Sequence, residues 1–264
     1  MTEARTTLDF GRFAPASLDD IIERAALMRR VDRKYLVPTA TAQALIRELG
    51  GSHAVLQIAG RLSTTYRSTY FDTAAFAATR SHVQRRRRRW KIRTRLYVED
   101  DLCRVEVKTK NGRGETVKVA MASTVDHYGQ LVGEDLAFVS SAVAPRHPDF
   151  RVDSLQASTE VAYTRATLVD LEASCRVTLD WGMAAYLGDQ AVRLDDDFVL
   201  VETKGGVSRA RADRVLTALG ARPRAFSKYA ATTSLMRDDI HDNDIRSLCG
   251  LALHPETRPT EALL

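Results

Sequence analysis

The strongest constraint in this chain is a period of two in which basic and apolar residues take turns. In Lys91-Ile-Arg-Thr-Arg-Leu-Tyr97 the cations recur at every second position. Alternate side chains of an extended strand share a face. Lys91, Arg93, Arg95 and Tyr97 therefore line one side, and Ile92, Thr94 and Leu96 the other. The division recurs downstream. Arg104, Glu106, Lys108 and Lys110 oppose Val105 and Val107, and Thr116 and Lys118 oppose Val117 and Val119. Tyr163, Arg165 and Thr167 oppose Thr164, Ala166 and Leu168. Arg176, Thr178 and Asp180 oppose Val177 and Leu179, while Glu202 and Lys204 oppose Val201 and Thr203. Strands with one apolar face call for an antiparallel sheet laid over a core.

Between these strands the apolar spacing turns helical. Ser17–Arg29, Thr39–Leu49, Thr73–His82, a stretch between Thr124 and Val143, Arg209–Leu219 and Ser227–Met236 read as helices. Lys34–Val37 is extended and stopped by Pro38, and His53–Gly60 and Ser63–Phe71 read as further strands. Asp100-Asp101 and Asn111-Gly112-Arg113-Gly114 mark hairpin turns. The expected class is α+β, with residues 1–16 as an N-terminal extension, 17–237 as one domain and 238–264 as a peripheral C-terminal tail.

Charge narrows the partner. Lys and Arg total 39 against 34 Asp and Glu, a net +5, yet Arg85–Tyr97 carries eight basic residues and no acid. Such a concentration points to a polyanion. An ordinary solvated face mixes signs, whereas these faces are mostly Arg and Lys, interrupted by Glu106, Asp180 and Glu202. An antiparallel β-barrel with helices packed outside would turn the charged faces into a wet lumen. Only an anion as dense as a triphosphate or polyphosphate offsets that many enclosed cations. Arg85–Arg89 reads as a loop or tunnel mouth that attracts the polyanion.

Other classes are disfavoured. No window approaches the roughly 18 apolar residues of a membrane span, and Met1–Phe10 has no apolar signal region. Cys103, Cys175 and Cys249 lie too far apart for a disulfide framework or a metal knuckle. The expectation is a cytoplasmic chain with no membrane segment of its own. Neither a Walker phosphate loop nor a nucleophilic triad is visible, and the histidines lack ligand spacing. With only Trp90 and Tyr97 near the basic strand, sequence-specific nucleic-acid binding is not expected.

Arg33-Lys-Tyr-Leu36, Tyr70-Phe-Asp-Thr73, Lys91–Tyr97, Val105-Glu-Val-Lys108, Tyr163-Thr-Arg165, Arg176–Asp180, Val201-Glu-Thr-Lys204 and Ser227-Lys-Tyr229 occur in one order. Together, from about Leu18 to Arg237, they resemble the VTC domain. That is the catalytic module of polyphosphate polymerases, in the triphosphate tunnel metalloenzyme superfamily. The resemblance implies an antiparallel barrel whose basic lumen takes ATP and a growing polyphosphate chain with Mn²⁺ or Mg²⁺. It implies catalytic and phosphate-binding roles for Lys34, Arg93, Arg95, Lys108, Arg165, Arg176 and Lys228, and phosphate contacts from Lys118, Tyr163 and Lys204. It makes Glu202 a metal-binding carboxylate. Glu106 reads either as a second metal ligand or as a counter-charge to its basic neighbours, and Asp72 as a cap for the following helix.

The related CYTH branch carries Glu-x-Glu-x-Lys where this chain has Arg30-Val-Asp-Arg-Lys34, with a single acid. That departure favours the polymerase branch. The alternatives are a metal-dependent triphosphatase, with Glu106 activating water, and a non-catalytic polyphosphate-binding module. Coupling to transport would require a separate membrane protein partner.

Overall fold

The computed structural model describes residues 8–24, 31–170, 172 and 175–257. In chain order these form β1 (Ala14–Ala16), α1 (Leu18–Arg24), β2 (Val31–Pro38), α2 (Thr39–Leu49), β3 (Ala54–Leu56), β4 (Thr64–Thr73), α3 (Ala77–Val83) and β5 (Arg89–Tyr97). There follow β6 (Leu102–Lys110), β7 (Thr116–Ser123), α4 (Glu134–Val143), β8 (Leu155–Asp170), β9 (Cys175–Leu187), β10 (Gln190–Leu194) and β11 (Phe198–Gly205). The last elements are α5 (Arg211–Ala218), α6 (Lys228–Leu235), α7 (Asn243–Arg246) and β12 (Leu253–Thr257). They divide into two compact units. One draws on Met1–Thr64, Tyr163–Met183 and Leu194–Phe226, the other on Thr65–Ala162, Ala184–Arg193 and Ser227–Leu264.

In the first unit β11 lies between β2 and β9, antiparallel to both. β3 pairs antiparallel with β8 and parallel with β1. The apolar residues predicted from alternation are buried: Val177 and Leu179, Val201, and Ala166 and Leu168 share one core, which Tyr35, Val37 and Val199 join. α2 covers them because Ala42, Leu45, Ile46 and Leu49 recur at helical spacing and fall on one stripe. Each such leucine or isoleucine contributes about 1.5–3 kcal/mol on burial. α5 adds Ala212 and Leu216, and Leu8, Phe10 and Phe13 reach the same core.

α5 also brings a buried carboxylate against the sheet. Asp213 accepts from Tyr35 Oη at 2.8 Å, Thr203 Oγ1 at 2.6 Å and the Ala210 amide at 3.2 Å. Arg33 Nη1 completes the set at 3.3 Å. Burial, reinforced by the Asp213 bond and charge, raises the Tyr35 phenol well above its ordinary value.

The second unit is built on the meander β4–β5–β6–β7. Ile92, Val105 and Val107 pack beneath α4 residues Val139 and Val143, with Trp90 edge-on to Phe150 at 5.3 Å. Asp72, at the end of β4, caps α3: its carboxylate accepts the Ala78 amide at 2.8 Å and the Thr79 amide at 2.9 Å. The same carboxylate takes the Tyr229 hydroxyl at 2.6 Å, pinning α6 to β4.

Three expectations change. Among the described residues the sheet is mostly antiparallel, but it does not close into a barrel: β2 bonds only to β11 and β7 only to β6. Closure requires every strand to be flanked on both sides. β7 is largely solvated and keeps Lys118 on it, as edge strands commonly do. The strand expected over His53–Gly60 stops at Leu56, because Ala59 and Gly60 take positive φ (45° and 81°) in a turn closed by Ile58 and Arg61. The stretch after residue 237 is no loose appendage as far as Thr257: Ile240, Ile245, Leu248 and Leu253 are buried, and β12 pairs with β10. The expected helix Ser17–Arg29 is seen as α1, its continuation at 25–29 lying outside the described residues.

Replacing Asp213 with Ala strands the buried donors of Tyr35 and Thr203 and leaves Arg33 uncompensated. The expected cost is about 3 kcal/mol, read as a lower urea midpoint with an unchanged slope.

Candidate functional site

Each unit presents one basic sheet face opposite its helix-covered side. In the second unit the register sets the residues in rows across β4–β7. Tyr66 faces Tyr97; Ser68 faces Arg95, which faces Arg104. Tyr70 faces Arg93, and Arg93 faces Glu106. Lys91, Lys108 and Lys118 lie directly abreast. Like charges in register repel, so this row gains from any anion laid over it.

Glu106 holds the centre. Arg93 Nε donates to its Oε2 at 2.7 Å, with Nη2 on the same oxygen, and Lys118 Nζ donates to Oε1 at 2.7 Å. Arg95 Nη1 stands 3.8 Å from Oε2. Burial alone would push this carboxyl up, but Arg93, Arg95 and Lys118 outweigh it and hold the group well below the usual carboxylate range. Tyrosines and hydroxyls orient the cations. Arg93 donates to Tyr70 Oη at 2.8 Å and Arg95 to Ser68 Oγ at 3.2 Å. Lys91 donates to Ser227 Oγ at 2.9 Å and lies over the rings of Tyr70 and Tyr229, which stack at 4.4 Å. Half-buried Lys228 opens α6 next to Ser227.

The first unit carries a second set. Glu202 lies between Lys34 and Thr178, and Lys204 between Asp32 and Arg176. Lys34 Nζ donates to the Phe226 carbonyl at 2.7 Å. Arg165 grips Asp180 with two parallel bonds of 2.5 and 2.7 Å and stands over the Tyr163 ring at 5.2 Å. Asp180 thus orients Arg165. Lys204 Nζ is 3.6 Å from Glu202. Burial, with Arg165 and Arg176 adding to it against Glu202 and Asp32, brings the Lys204 ammonium down to about 7.

The structure therefore brings Arg93, Arg95, Glu106, Lys108 and Lys118 onto one face, with Lys228 elsewhere in that unit. It places Lys34, Tyr163, Arg165, Arg176, Glu202 and Lys204 in the other. Sequence reasoning passed over Tyr66 and quoted Tyr70, Ser227 and Tyr229 only within motifs, with no role at the site. The alternation of Tyr66, Ser68 and Tyr70 along β4 held the signal for the first two.

Among the described residues no three His, Cys, Asp or Glu side chains gather as a metal cage. A hard cation held mainly by phosphate oxygens and water needs only one or two carboxylates. Glu202 lies 3.6 Å from Lys204 Nζ, and both oxygens of Glu106 accept from Arg93 and Lys118.

The fold is that of the triphosphate tunnel proteins. A Hippeastrum protein described as a candidate adenylyl cyclase with a dominant triphosphatase activity superposes with a TM-score of 0.51 at 16% identity, covering 81% of this chain and all of its own. A candidate adenylate cyclase from Bacillus halodurans aligns at 16% identity over 72% of this chain and 87% of its own, with a TM-score of 0.43. No curated protein matches the sequence. The profile of the VTC domain matches residues 29–237, most of the 264-residue chain, and the chain belongs to that family.

Glu106→Gln removes the counter-charge that Arg93, Arg95 and Lys118 share. It should cost about 3 kcal/mol near neutral pH. Because the folded carboxyl titrates below its unfolded value, its stabilisation is full above about pH 5 and fades as the pH falls toward the folded value. Urea midpoints measured between pH 6 and pH 3 should therefore decline more steeply for the wild type than for Glu106→Gln.

Proposed function

We propose that this chain is a polyphosphate polymerase that transfers the γ-phosphoryl group of ATP to the end of a polyphosphate chain. The observation that carries this reading is the basic face of β5–β7, with Arg93 and Arg95 beside a row of three lysines in register. Phosphoryl transfer asks a protein mainly to position its reactants and spread out negative charge. Arginine forks suit paired phosphate oxygens, and lysines supply point charges along a flexible polymer.

In this reaction a terminal phosphate oxygen of the polymer attacks the γ-phosphorus. The bond from that phosphorus to the bridging oxygen breaks, ADP leaves with the electron pair, and no net proton is taken up or released. Arg93, Arg95 and Lys108 would hold the equatorial oxygens as their charge grows, while Tyr70 and Ser68 keep the two guanidinium groups aimed. Lys118 and Lys228 would steady the flanking phosphates. In the first unit, taken by itself, Lys34, Arg165, Arg176 and Lys204 would hold phosphate, and Tyr163 would back Arg165. Glu202 would hold Mn²⁺ or Mg²⁺, which when bound neutralises triphosphate oxygens.

A triphosphatase is the second reading, suggested by the activity ascribed to the Hippeastrum neighbour. It needs a base for water, and Glu106 is ill suited, held ionised with its proton affinity suppressed by three cations. Incubation of the pure protein with ATP and Mn²⁺ separates the two. ADP with acid-insoluble phosphate is expected; orthophosphate without polymer would establish the hydrolase. Glu202→Gln should lower turnover about a hundredfold while tripolyphosphate binding without metal persists. Unchanged turnover would remove Glu202 from the reaction.

A further inference from the structure

The basic face of the second unit is not uniform along its strands. At one end the row is aromatic: Tyr66 and Tyr97 oppose each other with ring centroids 5.0 Å apart, both half-buried. Arg95 stands over the Tyr66 ring at 5.0 Å. Immediately beyond this row the β5–β6 turn carries Glu99, Asp100 and Asp101, all exposed. Glu99 is fixed there by the Thr65 amide, 2.9 and 2.8 Å from its two oxygens.

At the other end lie the Lys91–Lys108–Lys118 row, then Arg89 opposite Lys110. The β6–β7 turn with Arg113 follows, and Arg86, Arg87 and Arg88 are exposed on the approach to β5. Tyr97 lies six positions along the strand from Lys91, about 20 Å when extended. Charge thus runs from acidic to strongly basic along β5, with the arginine rows in the middle.

We propose that this gradient sets the direction of the nucleotide, an inference that rests on the polymerase reading above. The adenine base stacks on the Tyr66–Tyr97 pair, whose flanking carboxylates repel phosphate. The triphosphate lies across Arg95 and Arg93, and its γ-phosphoryl group points toward the three lysines, which hold the acceptor terminus. The polymer then leaves over Arg86–Arg88. Base stacking on an aromatic side chain tolerates any base, so this end selects a nucleoside triphosphate over inorganic triphosphate without choosing among nucleobases.

The test compares ATP with inorganic tripolyphosphate by titration calorimetry, using wild type, a Tyr66→Leu/Tyr97→Leu double variant and its Tyr66→Phe/Tyr97→Phe counterpart. The leucine pair, which also removes the ring beneath Arg95, should weaken ATP binding about tenfold more than tripolyphosphate binding; the phenylalanine pair should restore ATP. Equal loss of both ligands, or loss of neither, overturns the proposal. A wild type that binds neither ligand overturns the phosphate-binding reading beneath it. Neutralising Arg86, Arg87 and Arg88 to Ala should weaken long polyphosphate at least about tenfold more than tripolyphosphate, an effect that salt erodes. Equal weakening places the polymer exit elsewhere.

Discussion

Arg93, Arg95 and Lys118 share a partly buried sheet face because Glu106 lies among them. Removing cations from water is costly, and packing them side by side adds repulsion. One carboxylate with two hydrogen-bonded oxygens offsets enough of that cost for the face to persist, yet leaves it in positive excess. Asp180 does the same for Arg165 in the first unit. Both acids were visible in the sequence as interruptions of a basic pattern. Their contribution is to keep basic side chains aimed and ordered before any anion arrives, so that binding does not have to arrange them.

The pleat supplies the rest. A strand has two faces, and here one is committed to the core while the other carries the basic side chains. Val105 and Val107 pack beneath α4, and on the same strand Glu106 and Lys108 point away from it. The helices stabilise the sheet from the side away from the cations, and core packing can be optimised without disturbing the basic rows.

That two-sidedness is why so much was legible. Alternation identifies the strands and their faces from local sequence alone, and Asp72 could be read as a cap because the helix it serves lies only a few residues away. Relations between distant segments were not legible. Nothing local ties Asp213 to Tyr35 and Thr203, or Ser227 and Tyr229 to Lys91 and Asp72. Closure failed as an expectation for a similar reason, since alternation shows which way side chains point but not which strand edges meet. The tail misled because its acidic composition concealed Ile240, Ile245 and Leu248, spaced singly along it.

Neighbouring Arg33 and Lys34 have opposite destinations. Arg33 turns to the helix side, bonded to Asp213 and the Val207 carbonyl, while Lys34 lies across from Glu202. A slip of β2 by one position along β11 would exchange them, sending Lys34 toward the helix side and Arg33 to the open face. The pocket of donors around Asp213 admits a guanidinium and a phenol two residues apart, an arrangement a shifted strand cannot satisfy. That buried carboxylate therefore serves as a proofreading peg for the assembly of the sheet.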